Sequence, residues 1–348
     1  MKKKLVILFL LVFILGGCTL SFGSSKKPNA GVFKSFDKGG DWQMMRSLVL
    51  PGGRGDIVTV NVLELKFDPQ DNNAIYMISE ENGLFYTYDG GENWVQPSQI
   101  NSGRVNDLAV DPNDKCTIYI GFSNRVLKST DCNRSWQEIY IDTRPQSITA
   151  VAVDSDNSSF VYFGNAAGEI IKSVNGGASW STIKRFGGAV SKIVADPKRG
   201  GVFYAATAKN GYYKTTDGGA SWVSLEEGLK KFSGYNEFYD LIINTDNTDN
   251  LWLVCRYGIL KSLDGGASWE ALNLITPPLS TRVLAFAVSP VNPQELYYAT
   301  QSTFYKSTNG GGDWVTKRLP TAAAAGYLLV DPINPSIIYL GARVIQTR

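Results

Sequence analysis

Apolar positions along this chain come in short runs rather than in helical stripes. From about residue 60 onward, one apolar run after another closes on Asp-Pro or a variant of it. The instances are Asp68-Pro69, Asp111-Pro112, Asp154, Asp196-Pro197, Ser289-Pro290 and Asp331-Pro332. A turn follows, then a second apolar run holding Tyr76, Tyr119, Tyr162, Tyr204, Tyr297 or Tyr339; a degenerate copy at 241–255 has Trp252 in the tyrosine slot. Short β-rich runs set between turn residues predict strands of an all-β fold. A third short run and a tryptophan complete each unit. Trp42, Trp94, Trp136, Trp180, Trp222, Trp269 and Trp314 are separated by 52, 42, 44, 42, 47 and 45 residues, the period of a four-stranded propeller blade. In one such unit the pattern predicts strands at 105–110, 118–122 and 126–129, and a fourth starting at Trp136.

Six units are complete. The chain enters mid-unit at Val32-Phe33-Lys34 and Trp42 and leaves mid-unit at 327–341. The two ends are therefore expected to share a seventh blade, closing the ring and removing exposed sheet edges. Val344-Ile345-Gln346 also fits the third strand of that blade. The N-terminal segment is favoured because it carries the whole hairpin of strands three and four. The reading is a single seven-bladed β-propeller over residues 31–348.

The first residues read differently. Lys2, Lys3 and Lys4 precede an unbroken apolar run, residues 5–15, of 11 residues. That is too short to span a bilayer and fits the core of a signal peptide. Leu15-Gly16-Gly17-Cys18 resembles the bacterial lipoprotein box. The resemblance implies a leader at 1–17, a lipidated Cys18, a flexible tether over 18–30, and a chain anchored to a cell membrane or cell surface on its extracytoplasmic side. The whole chain has 34 basic and 32 acidic residues; loss of the three leader lysines leaves it close to neutral, a poor match for nucleic acid. There is no histidine, which excludes Ser-His-Asp and Cys-His catalysis and histidine-ligated metals. No phosphate loop or dinucleotide fingerprint is present, so no cofactor is expected.

Each tryptophan closes one short motif, as in Ser173-Val174-Asn175-Gly176-Gly177-Ala178-Ser179-Trp180. The pattern Ser/Thr-x-Asp-x-Gly-x-x-Trp resembles the Asp-box (BNR) repeat family over nearly all of the expected mature chain. Asp37, Asp89, Asp131, Asn175, Asp217, Asp264 and Asn309 occupy the acidic slot. They are expected to accept backbone N–H bonds inside a tight turn, with glycine supplying a positive φ. A calcium loop is disfavoured because asparagine replaces aspartate twice, and no metal is expected. The third box, Ser129-Thr130-Asp131-Cys132-Asn133-Arg134-Ser135-Trp136, has asparagine in the glycine slot. The fold puts the one-to-two and three-to-four turns at the same end of a blade. Cys116 and Cys132 are thus placed to form a disulfide, permitted outside the cytoplasm. Cys255 falls in a strand-two core position and reads as a buried thiol.

The opposite end of the blades carries the four-to-one and two-to-three loops, where binding residues are expected. Arg54, Arg104, Arg144, Arg185, Arg282 and Arg318, with Lys230 and Lys231, lie in four-to-one loops; Arg125, Lys209, Arg256 and Arg343 lie in two-to-three loops. Arginine suits bidentate contact with carboxylates or phosphates, so an acidic protein segment or an anionic glycan is expected on this face. Strand one lines the channel, where Glu64, Asp107 and Asp240 are weak candidates for glycosidase-type acid and base. A third possibility is a lectin surface using Tyr235 and Tyr257. In size and blade count the chain is similar to the photosystem II stability and assembly factor-like group. That resemblance implies an arginine-bearing face and a non-enzymatic role in binding another protein, with the chain expected to be a monomer. The Arg-Ile-Pro motif of sialidases is absent, and xyloglucan-cleaving enzymes use two such propellers where this chain has one.

Overall fold

The computed structural model describes residues 29–345. The leader, Cys18 and most of the tether lie outside the described residues, as does Gln346. Seven antiparallel sheets form the seven blades of a propeller. Blade two consists of Val105–Asp111, Asp114–Phe122, Arg125–Ser129 and Gln137–Ile141. Its second strand starts earlier than the apolar run because Asp114 already pairs with Asp111 across the turn. Blade seven is shared between the ends: Ala324–Val330 and Ile338–Arg343 are joined by Gly31–Ser35 and Gln43–Met45. Lys34 lies opposite Tyr339 in that register, so the N-terminal hairpin fills the third and fourth places. Val344 instead donates its backbone N–H to Asn61 of blade one at 2.8 Å.

Apolar burial is mainly between blades. Tyr76, Ile78 and Leu84 of blade one meet Leu108, Ile118 and Trp136 of blade two in one cluster. Each sheet thus buries both faces against its neighbours, and closing the ring leaves no terminal blade bare.

The fourth strand begins after the tryptophan rather than at it in six blades, since that residue finishes the box turn. Blade one is the exception, with Trp94–Val95 as its fourth strand. The segment before blade one folds into a hairpin, Ser47–Leu50 with Gly53–Asp56. It extends the blade to six strands by pairing Leu48 in parallel with Trp94.

The seven boxes share one hydrogen-bond pattern. The slot oxygen of Asp37, Asp89, Asp131, Asn175, Asp217, Asp264 or Asn309 accepts the N–H four residues on at 2.8–2.9 Å. The preceding Ser or Thr hydroxyl donates to that side chain, as Ser173 does to Asn175 at 2.9 Å. That hydroxyl also accepts the N–H of the box glycine, as from Gly177 at 2.8 Å. Asparagine serves as well as aspartate because only its carbonyl oxygen is needed.

A second repeat links neighbouring blades. Lys172 Nζ and Tyr162 Oη both donate to the carbonyl of Gly218 in the next box, at 3.0 and 3.1 Å. Lys34 with Tyr339, Lys128 with Tyr119 and Lys214 with Tyr204 do the same toward Gly90, Gly176 and Gly265. In each pair the ammonium also lies over the tyrosine ring. The other three junctions lack this latch: Tyr76, Trp252 and Tyr297 have no hydrogen-bond partner for their polar atoms. Lys172→Met is expected to destabilise by about 1–2 kcal/mol through the lost charge-assisted bond and cation–π contact. Lys261→Met, at an unlatched junction, is expected to cost well under half of that. Urea unfolding of the two variants checks the contrast.

Candidate functional site

The first strands of the blades surround a polar cavity of about 250 Å³ on the propeller axis. Glu64, Asp107, Lys192, Asp240 and Tyr327 occupy the same strand-one slot in five blades, and all line it. The three carboxylates are held by two lysines. Lys192 Nζ stands 2.6 Å from Asp240 and 3.6 Å from Glu64. Lys66, two residues beyond Glu64 on the same strand face, stands 3.9 Å from Glu64 and 3.5 Å from Asp107. Lys66 was not among the candidates, although its period-two relation to Glu64 would have shown that the two share a face.

This charge set shifts its members in different directions. Burial pulls Lys192 down, but Asp240 and Glu64 outweigh it and hold the ammonium well above its ordinary range. Burial pushes Glu64 up, but Lys192 and Lys66 prevail and leave it lowered. Burial raises Asp107 by more than Lys66 lowers it, and Glu64 adds to the rise. Asp107 is only 4% exposed. Its two oxygens accept the N–H groups of Leu108 and Val151, both at 2.8 Å. It therefore straps blade two to blade three.

The arginines fall into two groups. Arg144 binds Asp142 and Glu169, and Arg185 binds Glu169 at 3.1 Å. The Arg144 hydrogen bond leads in holding the buried Glu169 carboxylate down to about 2. Arg125 pairs with Glu138 and Arg256 with Glu237. These four serve local pairs on blades two to five. Arg54, Arg104, Arg282, Arg318 and Arg343 pair with no carboxylate among the described residues, and they follow one another around blades five to two through blade seven. Arg54 lies on the added hairpin at the outer side of blade one, bonded to Ser47. Arg318 lies on the outermost strand of blade six. Of the other three, two stand at the channel. Arg282 and Arg343 line the cavity, with Arg282 stacked 4.1 Å over the Tyr239 ring. Burial, then Arg282, then Arg104 push Arg343 below its ordinary range, with Glu80 the one opposing carboxylate.

Tyr235 and Tyr257 do not form an exposed platform. Both pack against the cluster around Phe232 and Trp269, with Tyr257 edge-on to Phe232. Cys255 is a buried thiol pushed up to about 11 by burial.

The sequence model of the photosynthesis system II assembly factor YCF48 matches residues 55–221. The chain is an Asp-box propeller resembling the photosystem II assembly factor family. No functionally curated protein matches the sequence. Among solved structures, YCF48 bound to D1 peptide is 18% identical, with a TM-score of 0.61 over 83% of this chain and 94% of that one. YCF48 from Cyanidioschyzon merolae is 17% identical, with a TM-score of 0.62 over 85% and 98%. The GH74 enzyme of Niastella koreensis is 17% identical, with a TM-score of 0.64 over 86% of this chain and 52% of that one. The chain thus spans about half the length of that enzyme. At these identities the likeness establishes the fold.

Proposed function

We propose that this protein is a non-enzymatic docking module, tethered through Cys18 on the extracytoplasmic side of a membrane, that binds an acidic segment of another protein at the arginine end of its channel. The observation that carries this reading is that Arg282 and Arg343 both line the mouth of the channel cavity, with neither in an ion pair among the described residues. Like charges held together cost free energy that an anionic partner recovers. The YCF48 structure with a bound D1 peptide supports a protein as the partner class. The docking zone is narrower than a complete ring of blade-junction arginines, because Arg125, Arg144, Arg185 and Arg256 already have carboxylate partners.

Cross-linking in membranes carrying the full chain tests this. A specific protein should be captured by the parent. Its yield should fall by about tenfold or more when Arg104, Arg282 and Arg343 become glutamate, and fall with rising salt. Equal capture by both forms rules the reading out. The three carboxylates lining the channel, Glu64, Asp107 and Asp240, make glycoside hydrolysis the second reading. Release of reducing sugar from a glycan panel, abolished in Glu64→Gln, is the result that would establish it.

A further inference from the structure

The channel holds a charge imbalance at each of its two levels. At the inner level three carboxylates, Glu64, Asp107 and Asp240, face two ammonium groups, so one positive charge is missing. Glu64 Oε1 records the shortage directly. It is buried without a hydrogen-bond partner, and its nearest ammonium nitrogens stand 3.6 and 3.9 Å away, beyond hydrogen-bond reach. Each lysine lies closer to another carboxylate than to Glu64. At the outer level the imbalance is reversed. Arg282 and Arg343 line the same cavity and, among the described residues, no carboxylate is bound to either and Arg343 Nε is buried without a partner.

We propose that this cavity binds a small zwitterion, with an ammonium group beside Glu64 and a carboxylate against Arg282 and Arg343. A molecule of this kind supplies what each level lacks: a donor and a positive charge below, an acceptor and a negative charge above. Buried polar atoms without partners cost about 1–3 kcal/mol each, so a ligand that satisfies both recovers that cost. The cavity, about 250 Å³, has the volume of roughly eight water molecules, enough for a small amino acid but not for a folded segment of protein. The residue of blade six in the Glu64 slot is Ala285, three residues after Arg282. At the rise of an extended strand that places the levels about 10 Å apart along the backbone, part of which the arginine side chain spans. The separation favours an ω-amino acid with several methylenes between its charges over an α-amino acid. Tyr239 stacks against the Arg282 guanidinium and limits its freedom.

The experiment is isothermal titration of the full chain in detergent with 6-aminohexanoate, 6-hydroxyhexanoate and hexanoate. The amino compound is expected to bind at least about tenfold more tightly than the other two, the usual value of one charge-assisted hydrogen bond. Glu64→Gln should remove that preference while leaving two carboxylates opposite two ammonium groups, so the variant is expected to fold. Arg343→Gln should weaken all three ligands. Equal binding of the amino and hydroxy compounds overturns the proposal, as does no heat up to about 10 mM or an unchanged preference in Glu64→Gln. The parent's preference for the amino compound needs no variant, and so decides the matter even if Glu64→Gln fails to fold. Glu64 lies outside the arginine trio, so loss of partner capture and loss of zwitterion binding are separable results.

Discussion

Trp94→Ala is expected to destabilise the propeller by about 3–5 kcal/mol, the range for emptying a fully buried aromatic site. Trp222→Ala, at the same position of the same motif, should cost roughly 1–2 kcal/mol. The seven box tryptophans are equivalent in sequence but not in environment. Trp94 is fully buried, whereas Trp222 is partly exposed at the edge of Phe186. At Trp94 the hairpin at residues 47–56 supplies cover by pairing Leu48 with Trp94 and continuing the sheet beyond it, while Trp136 and Trp269 are buried without one. Met45, Leu48 and Ile57 then enclose the indole with Phe85. A melting shift on the order of 10 °C for Trp94→Ala, and a much smaller one for Trp222→Ala, is the expected outcome. Equal shifts would mean that the hairpin does not seal blade one.

The second large effect concerns Cys116 and Cys132. Their Cα atoms lie 4.0 Å apart, with the sulfurs bonded across a sequence separation of 16 residues. A loop of that size limits the unfolded chain by about 3 kcal/mol in the chain-entropy model. Changing both cysteines to serine is therefore expected to lower stability by about that amount, measured by urea unfolding under non-reducing conditions. A further cost sits at Cys132. Its φ is 58°, and Asn133 follows at 68°. Gly176 and Gly177 hold the equivalent places in the next box at 67° and 100°. An L-residue in that left-handed region is strained, and asparagine tolerates it better than most. Cys116→Ser with Cys132→Gly should therefore be about 1 kcal/mol more stable than the double serine variant. The ranking separates the two contributions: cross-linking alone predicts identical variants. Free thiols at both positions in the native, unreduced protein would remove the basis for the first comparison.

Much of the fold was legible in the chain because a propeller repeats its instructions. The Asp-Pro turns, the tyrosine run and the box recur with the blade period, and each copy reports on the others. The ring closure was readable for the same reason, since Val32-Phe33-Lys34 and Trp42 carry a complete hairpin. The box side chains were readable because their hydrogen bonds are local, four residues apart at most. The extra hairpin was not. Residues 47–56 belong to no repeat, and their parallel pairing with Trp94 joins positions 46 residues apart.

The candidate site shows the same division. Strand alternation placed Glu64, Asp107 and Asp240 in the channel. It could not say that two lysines would hold three carboxylates, or that Asp107 would turn to the backbone of the next blade. Arg104, Arg144, Arg256 and Arg282 lie in the expected loops, whereas Arg54, Arg125, Arg185, Arg318 and Arg343 lie within strands, and their charges are not equally available. Arg144 and Arg185 are taken by Glu169, a contact set by the packing of the loops around blade three. Arg343, at the end of the second strand of blade seven, became central through its place in the cavity with Arg282.

The sequence by itself determined the blade count, the strand order, the closure of the ring and the turn chemistry of the boxes, because all of these depend on spacing and on bonds between near neighbours. Only the tertiary structure decided which tryptophans are buried, which lysines latch one blade to the next, and which arginines pair with no carboxylate among the described residues. Those properties depend on distances between residues of different blades, where burial and charge act through space and leave no mark on the period of the chain.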